Sequence, residues 1–213
     1  MNESLVFLLP VLLFSVIVHE YAHGYVAELW GDPTARMLGR LTLNPVPHID
    51  LFGSILVPLL LLMSGSRILF GWAKPVPVTP ENFRNRKWGD ITVSLAGPAS
   101  NVLLAVAFAA GLFVARVVTG GEVSPAILLL CEYGIFINLI LALFNMLPVP
   151  PLDGSHVVAN FLPPPMAYSY RSAGRYGLII VMLLLMFTPV GSIVFGVTRL
   201  WTWHMVRLAM EIG

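Results

Sequence analysis

The chain has 213 residues, of which 57% are hydrophobic and only 11% charged, and its mean hydropathy is strongly positive. These values lie outside the range of soluble domains and are typical of an integral membrane protein. A net charge of +1 with scattered Lys and Arg gives no basic surface for nucleic acid. The single cysteine, Cys131, excludes internal disulfides and cysteine-cluster metal sites, so any metal must be held by histidine and carboxylate.

Four long apolar runs predict membrane-spanning helices. The first covers residues 5–30 and, at about 1.5 Å per residue, is long enough to cross a hydrocarbon core of about 30 Å. The others cover residues 91–118, 125–147 and 174–199. The sequence therefore predicts an α-helical integral membrane protein with about four crossings, organised as a single domain over residues 1–213.

Two shorter segments do not fit a membrane crossing. Residues 51–63 are apolar but short, they contain Pro58, and basic residues flank both ends, which predicts a re-entrant element with both ends on one side. Residues 70–80 carry three prolines among valines and threonine, a pattern that predicts a small membrane-associated extended or edge-strand segment. Such backbone is tolerated at membrane depth only where protein or a water-filled cavity satisfies its polar groups.

The basic residues predict how the chain is oriented in the membrane. Nine of the twelve Lys and Arg residues lie in the loops at 31–50, 65–90 and 154–176, and three lie on the opposite side. By the positive-inside rule, the three richer loops are cytoplasmic. We therefore expect a multi-pass protein of the cell membrane in which the C-terminal half of the first helix and Asp153 both lie toward the cytoplasmic leaflet.

The sequence His19-Glu20-Tyr21-Ala22-His23 places two histidines and a carboxylate inside the first apolar run. On a helix, His19 and His23 share a face, where two imidazoles can hold one zinc ion while Glu20 lies beside it as general base. Ionisable residues at membrane depth are energetically costly and indicate a functional site by default. The spacing is typical of zinc metalloproteases, whose catalytic zinc takes three protein ligands and a water molecule.

The third ligand has to come from elsewhere in the chain, and Asp153 is the candidate. It follows a helix-breaking run of prolines and lies on the same predicted side of the membrane as the histidines. The alternative is that Asp153-Gly154 is simply a turn pair, which is the usual meaning of this dipeptide. The spacing alone leaves both interpretations open.

Other polar residues have structural interpretations that compete with a role in the site. His48, at the start of the predicted re-entrant element, is more typical of a hydrogen-bonding loop residue than of a ligand. His156 would share a helical face with the third ligand, but three ligands are already assigned. Asn101 and Asn138 are single amides in apolar runs, where interhelical hydrogen bonds are expected. His204 lies among tryptophans typical of an interfacial belt.

Three motifs together resemble the site-2 protease family of intramembrane zinc metalloproteases. They are the His-Glu-x-x-His of the first helix, Leu95-Ala96-Gly97-Pro98-Ala99-Ser100-Asn101 and the segment from Asn145 to Gly154. They follow the family's order and span most of the chain, so their joint match is far more specific than any one of them. Family members often carry a PDZ or CBS domain, and this chain resembles a minimal form without either.

The resemblance implies one Zn²⁺ per chain and catalysis by Glu20. The implied zinc ligands are His19, His23 and Asp153. It also implies cleavage of membrane-spanning protein substrates within the lipid bilayer, with Asn145 and the segment from Lys74 to Thr79 positioning the substrate. An unwound substrate could pair with that segment by strand addition, although extended proline-rich segments are more often plain connectors.

Two functions from other classes stay open. An inactive membrane scaffold or substrate-binding protein could have the same fold, although the intact His-Glu-x-x-His motif and Asp153 argue against it. A zinc-handling transporter would place polar residues at the midplane of several helices, often with repeat symmetry. In this sequence the polar groups are instead concentrated in one cluster, formed by the His-Glu-x-x-His motif and Asp153.

Overall fold

The structure, a computed structural model, describes residues 3–50, 53, 56, 60, 63 and 74–211. Its α-helices are α1 (Glu3–Leu29), α2 (Thr34–Met37), α3 (Arg86–Val118), α4 (Pro125–Asn145), α5 (Asp153–Ala159), α6 (Pro164–Ser172), α7 (Gly177–Phe187) and α8 (Val190–Glu211). Short 3-10 helices lie at Val46–His48, Pro80–Asn82 and Ala173–Tyr176. The regular secondary structure of the described residues is helical throughout, which confirms the predicted α-helical class.

Three of these helices are long and apolar enough to cross a membrane. They are α1 over Val6–Leu29, and α3 and α4 over their whole lengths. A fourth crossing among the described residues would have to combine the helical segments Pro164–Tyr176 and Ile179–Phe187, which are bent by 82° relative to each other. The protein is therefore a multi-pass membrane protein, and its described residues contain three candidate spans, or four if the bent pair is one span.

The apolar run at 174–199, whose Pro189 predicts an interruption, forms two helices. α7 ends at Phe187, and Thr188 has extended backbone with φ −128° and ψ 161° before α8 begins at Val190. The break falls at Pro189, because proline has no N–H and its ring disfavours helical backbone in the residue before it. α8 then continues to Glu211, well beyond the predicted end, and packs against α3 and α4.

The predicted re-entrant element and the predicted extended segment are only partly described. The re-entrant element at 51–63 lies mostly outside the described residues, as do residues 70–73 of the extended segment. Residues 74–79 have no regular secondary structure, and no strand is present in the described ranges. The expected edge strand is therefore a non-helical segment without β-pairing to any described part of the chain.

α1, α3 and α4 pack against one another and form the centre of the molecule. Close approach of α1 and α3 depends on Gly97, because a Cβ added there would lie only 2.6 Å from Nε2 of His19 and would also contact the ring of His23. Small residues allow membrane helices to approach in this way. The predicted Leu95–Asn101 motif thus packs directly against the two histidines.

Candidate metal centre

His19 and His23 lie one turn apart on α1, and Asp153 is the first residue of α5. The Nε2 atoms of the two rings are 3.0 Å apart. Oδ2 of Asp153 lies 3.1 Å from Nε2 of His19 and 3.4 Å from Nε2 of His23. The structure therefore brings the three predicted ligands together, with one donor atom from each within 4.8 Å of the others.

The hydrogen bonds on the far side of each ring determine where its proton lies. Nδ1 of His23 lies 2.7 Å from the carbonyl oxygen of Val93, which can only accept. Nδ1 of His19 lies 2.6 Å from Oδ1 of Asn101, whose Nδ2 donates to Asn138. Both Nδ1 atoms must therefore carry the proton, so Nε2 of each neutral ring presents a lone pair.

In the neutral state of both rings, two nitrogen lone pairs and a carboxylate oxygen therefore face one another. Oδ2 of Asp153 is buried and has no conventional hydrogen-bond donor among the described residues. Zinc ligands about 2.0–2.1 Å from the metal in tetrahedral geometry are roughly 3.3 Å apart, which is close to the distances found here. The donor set fits a zinc ion with three protein ligands and one open position.

Asn101 and Asn138 are completely buried and connect the centre to two other helices. Nδ2 of Asn101, on α3, donates to Oδ1 of Asn138, on α4, at 2.9 Å, and Nδ2 of Asn138 donates to the carbonyl oxygen of Gly134 at 2.8 Å. The interhelical bond was expected, but the additional contact of Asn101 with His19 was missed. Its place at the end of the Leu95–Asn101 motif was the signal that could have revealed it.

Glu20 lies beside the centre in a cavity of about 360 Å³. Its Oε2 accepts a hydrogen bond from the backbone N–H of Val76 at 2.7 Å. Apart from the three candidate ligands, the lining includes Glu20, Asn145, Val76, Val78, Asp90 and His156. The cavity therefore contains the predicted base, the open side of the metal centre and part of the non-helical segment.

Arg40 fixes one end of the segment 74–79. Its guanidinium donates to the carbonyl oxygens of Lys74 at 2.7 Å and Pro75 at 3.1 Å. Arg40 is itself largely buried, so its side chain is a well-defined anchor. Side-chain donors therefore satisfy backbone groups that a partner strand would otherwise satisfy.

Asp32 fixes the other end of the segment. Its carboxylate is completely buried and accepts hydrogen bonds from the backbone N–H of Thr79 at 2.7 Å and from Nδ2 of Asn82 at 2.8 Å. Burial opposes ionisation of Asp32, but hydrogen bonds from Thr34, Thr79 and Asn82 outweigh it and hold the pKa of this carboxyl below its usual value. Sequence reasoning assigned no role to either Asp32 or Arg40.

Asn145, which the sequence predicts to position the substrate, is the last residue of α4 and lines the cavity. Its Nδ2 donates to the carbonyl oxygen of Leu141 in the same helix at 3.0 Å. The side-chain oxygen is not engaged by this bond. The amide is therefore part of the cavity wall and retains an acceptor for a substrate N–H.

The three remaining histidines differ in their relation to the cavity. His48 is buried, and its Nε2 lies 2.9 Å from the carbonyl oxygen of Thr42, in keeping with the expected hydrogen-bonding role. His204 packs edge-on against Trp203 on α8. His156 lines the cavity, where its Nδ1 lies 3.4 Å from Asp90. Arg171 and Asn160 also donate to Asp90, so this carboxylate ties α3 to the segments that follow the candidate ligand.

A His-Glu-x-x-His motif with a third carboxylate beside its two histidines is typical of metallopeptidases. The model of peptidase family M50 matches residues 7–127 and 118–188 of this chain. The chain belongs to this family, which is the site-2 protease family, and is a metallopeptidase. The family resemblance predicted from three motifs is confirmed.

Individual relatives agree with this assignment. YwhC of Bacillus subtilis, named as a presumed zinc metalloprotease, is 42% identical over 196 residues, which cover 88% of this chain and 84% of the relative. Rip2 of Mycolicibacterium smegmatis, named in the same way, is 30% identical over 181 residues, which cover 83% of this chain and 65% of the relative. No solved structure matches the chain.

Proposed function

We propose that the protein is an intramembrane zinc metallopeptidase that hydrolyses peptide bonds of membrane-spanning protein substrates. The observation that carries the proposal is the meeting of three possible metal ligands, His19, His23 and Asp153, at a cavity that also holds Glu20. α1, which supplies three of these four side chains, is long and apolar enough to cross a membrane. Family membership supports peptide hydrolysis as the reaction.

One zinc ion per chain would be held by His19, His23 and Asp153. When bound, zinc lowers the pKa of a coordinated water toward about 7 and polarises the scissile carbonyl. Asn101 and Val93 keep both imidazoles in the tautomer that offers Nε2 to the metal. The side chains around the centre thus fix the orientation of its ligands before any substrate arrives.

Glu20 acts as the general base and then as the general acid. It takes a proton from the attacking water as the bond from the water oxygen to the carbonyl carbon forms. It returns this proton to the amide nitrogen as the carbon–nitrogen bond breaks, so the products are a carboxylic acid and an amine. Because Val76 holds Oε2, Oε1 of the carboxylate remains to face the water.

A helical substrate must unwind before its peptide bonds can be attacked, because its carbonyl groups are engaged in helical hydrogen bonds. The segment 74–79 borders the cavity and is anchored at both ends, by Arg40 and Asp32. An unwound stretch of substrate would bind along this segment by strand addition, which depends little on side-chain sequence. The amide of Asn145 would help to hold the substrate on the opposite wall.

The active site lies toward the cytoplasmic leaflet in this proposal. Nine of the twelve Lys and Arg residues fall in loops on the side to which the C-terminal end of α1 and the N-terminal end of α3 belong. The candidate ligands lie near those ends. Cytoplasmic water would therefore reach the cavity over a shorter distance than water from the opposite side.

Cleavage of a model transmembrane protein in proteoliposomes tests the function. We expect the zinc-loaded wild type to cleave it, and Glu20→Gln to bind one zinc per chain with cleavage reduced by about 10²-fold or more. Glu28→Gln is the matched control on the same helix, since Glu28 pairs with Arg36 outside the cavity, and it should cleave normally. A wild type that binds zinc but cleaves no transmembrane protein would favour a scaffold, and zinc flux that survives Glu20→Gln would favour a transporter.

A further inference from the structure

Within the described part of the chain, one backbone N–H of the segment 74–79 has no acceptor. Its prolines at 75 and 77 have no N–H, and three other amides are committed to acceptors within the protein. These donors are Lys74, Val76 and Thr79, whose acceptors belong to His48, Glu20 and Asp32 respectively. Val78 is thus the one residue of 74–79 whose amide has no acceptor in the described part of the chain, and it lines the active-site cavity.

Val76 and Val78 present their backbone groups along the same edge. The side chain of Val76 packs so closely on α1 that a Cβ added at Gly24 would lie 2.9 Å from it. The side chain of Val78 packs against a buried cluster between α1 and α3. Side chains two residues apart that face the same way indicate strand alternation, in which both residues direct N–H and C=O to one edge. The bond from Val76 to Glu20 shows that this edge faces the cavity.

We propose that this edge binds the unwound substrate antiparallel and in a single register, with the scissile carbonyl opposite Val76. In an antiparallel ladder, a residue directly opposite Val76 exchanges two N–H···O=C bonds with it. The N–H of Val76 is already engaged by Glu20. The scissile residue, whose carbonyl is attacked, therefore donates its N–H to Val76 while its own carbonyl stays unpaired beside the base.

The same register determines the hydrogen-bond partners of the neighbouring substrate residues. The residue two positions before the scissile residue lies opposite Val78 and exchanges both hydrogen bonds with it, which uses the free amide. The intervening residue directs its N–H to the opposite edge, away from the protein strand. This inference rests on the proposed peptidase function and specifies which backbone groups of the substrate the segment binds.

Backbone N-methylation of the substrate tests the register. A synthetic transmembrane peptide with a mapped cleavage site is prepared unmodified and with one N-methyl group at the scissile residue, at the intervening residue or two positions before the scissile residue. The zinc-loaded full-length protein in liposomes cleaves each peptide. We expect kcat/KM to fall about tenfold or more for the first and third modifications, because each removes a ladder hydrogen bond and places a methyl group against the strand.

The intervening residue is the matched control, because N-methylation restricts the peptide backbone similarly at each of the three positions. Its modification should leave kcat/KM within about twofold of the unmodified peptide, since no ladder bond is lost. Equal losses at all three positions, or the largest loss at the intervening residue, would overturn the register. If the unmodified peptide is not cleaved at all, the proposed function itself fails, which is a distinguishable result.

Val78→Pro tests the protein side of the same ladder. It removes the free amide, so KM for the unmodified peptide should rise about tenfold. With this variant, N-methylation two positions before the scissile residue should lower kcat/KM only slightly further, because the hydrogen-bonded pair that it disrupts is already broken. If Val78→Pro and this N-methylation each lowered kcat/KM by the same factor together as separately, the proposed pairing would be contradicted. The zinc content and the folding of the purified variant are measured first. If the variant does not fold, the series of N-methylated peptides decides the register.

Discussion

The backbone N–H of Val76 donates a 2.7 Å hydrogen bond to Oε2 of Glu20. This bond joins the proposed base on α1 to a non-helical segment that lies far from it in sequence. A carboxylate held at one oxygen has fewer orientations than a free one, so this bond restricts where Oε1 can lie. Val76 is a positioning residue in this account, and it acts through its main chain.

Replacing Val76 by proline removes this donor. Residue 76 precedes Pro77 and is already biased toward backbone angles that proline can adopt, so we expect Val76→Pro to fold. It should lower kcat about tenfold, because Glu20 loses a hydrogen bond to its charged form, and it should leave zinc content unchanged. Val76→Ala keeps the N–H and should lose less activity. Equal rates for the two variants would show that the amide does not orient Glu20.

Asn101 determines how well His19 can bind a metal. Asn101→Ala would leave Nδ1–H of His19 without its acceptor in a fully buried site. Loss of such a partner typically lowers metal affinity 10–100-fold, and we expect this range in a chelator competition assay with zinc. Asn138→Ala, one hydrogen bond further from the ring, should have a smaller effect. Wild-type affinity in Asn101→Ala would contradict the assigned tautomer.

Gly97 provides the space for the two histidine rings. A Cβ at this position would lie 2.6 Å from Nε2 of His19, which is closer than side-chain carbons approach, so α1 and α3 would have to separate. We expect Gly97→Ala to abolish stoichiometric zinc binding and cleavage. Gly111→Ala is the control in the same helix, because an added Cβ there has no neighbour within 4 Å. Similar zinc binding by the two variants would argue against the packing described.

Asp32 makes the anchoring of the segment 74–79 dependent on pH. The pKa of Asp32 is lower in the folded protein than its usual value, so its stabilising contribution is present above pH about 4 and is lost as pH falls through the folded pKa. We expect Asp32→Asn to be less stable than the wild type by about 1–3 kcal/mol at pH 7.

The difference in free energy of unfolding between wild type and Asp32→Asn should shrink below pH about 4, as the wild-type carboxyl becomes protonated. Hydrogen exchange at the Thr79 amide should be faster in the variant at pH 7, since this amide donates to Asp32. A stability difference that stays constant or grows on acidification would contradict the role assigned to this carboxylate.

Several features could be predicted from the sequence because a local pattern determines them. The spacing of His19 and His23 places them on one helical face, and the charge distribution placed Asp153 on the same side of the membrane. The interruption of the last apolar run could be predicted from Pro189, which has no N–H to donate. The continuation of α8 to Glu211 was missed because its polar residues lower the average.

Other features depend on main-chain geometry or on contacts between distant elements. The donor to Glu20 is the backbone amide of Val76, which every non-proline residue possesses, so no residue type signals it. Asp90 accepts hydrogen bonds from Asn160 and Arg171, which lie in two later segments of the chain. Only the folded chain brings these residues together. The sequence thus indicated which side chains the site uses better than it indicated what orients them.

X-ray absorption spectroscopy of the zinc-loaded protein tests the central claim most directly. The account predicts one zinc per chain with two imidazole nitrogens and oxygen ligands at about 2.0–2.1 Å, and a changed first coordination shell in Asp153→Ala but not in Asp90→Ala, its matched control in the same cavity. A first shell without two imidazoles, or one that Asp153→Ala leaves unaltered, would contradict it.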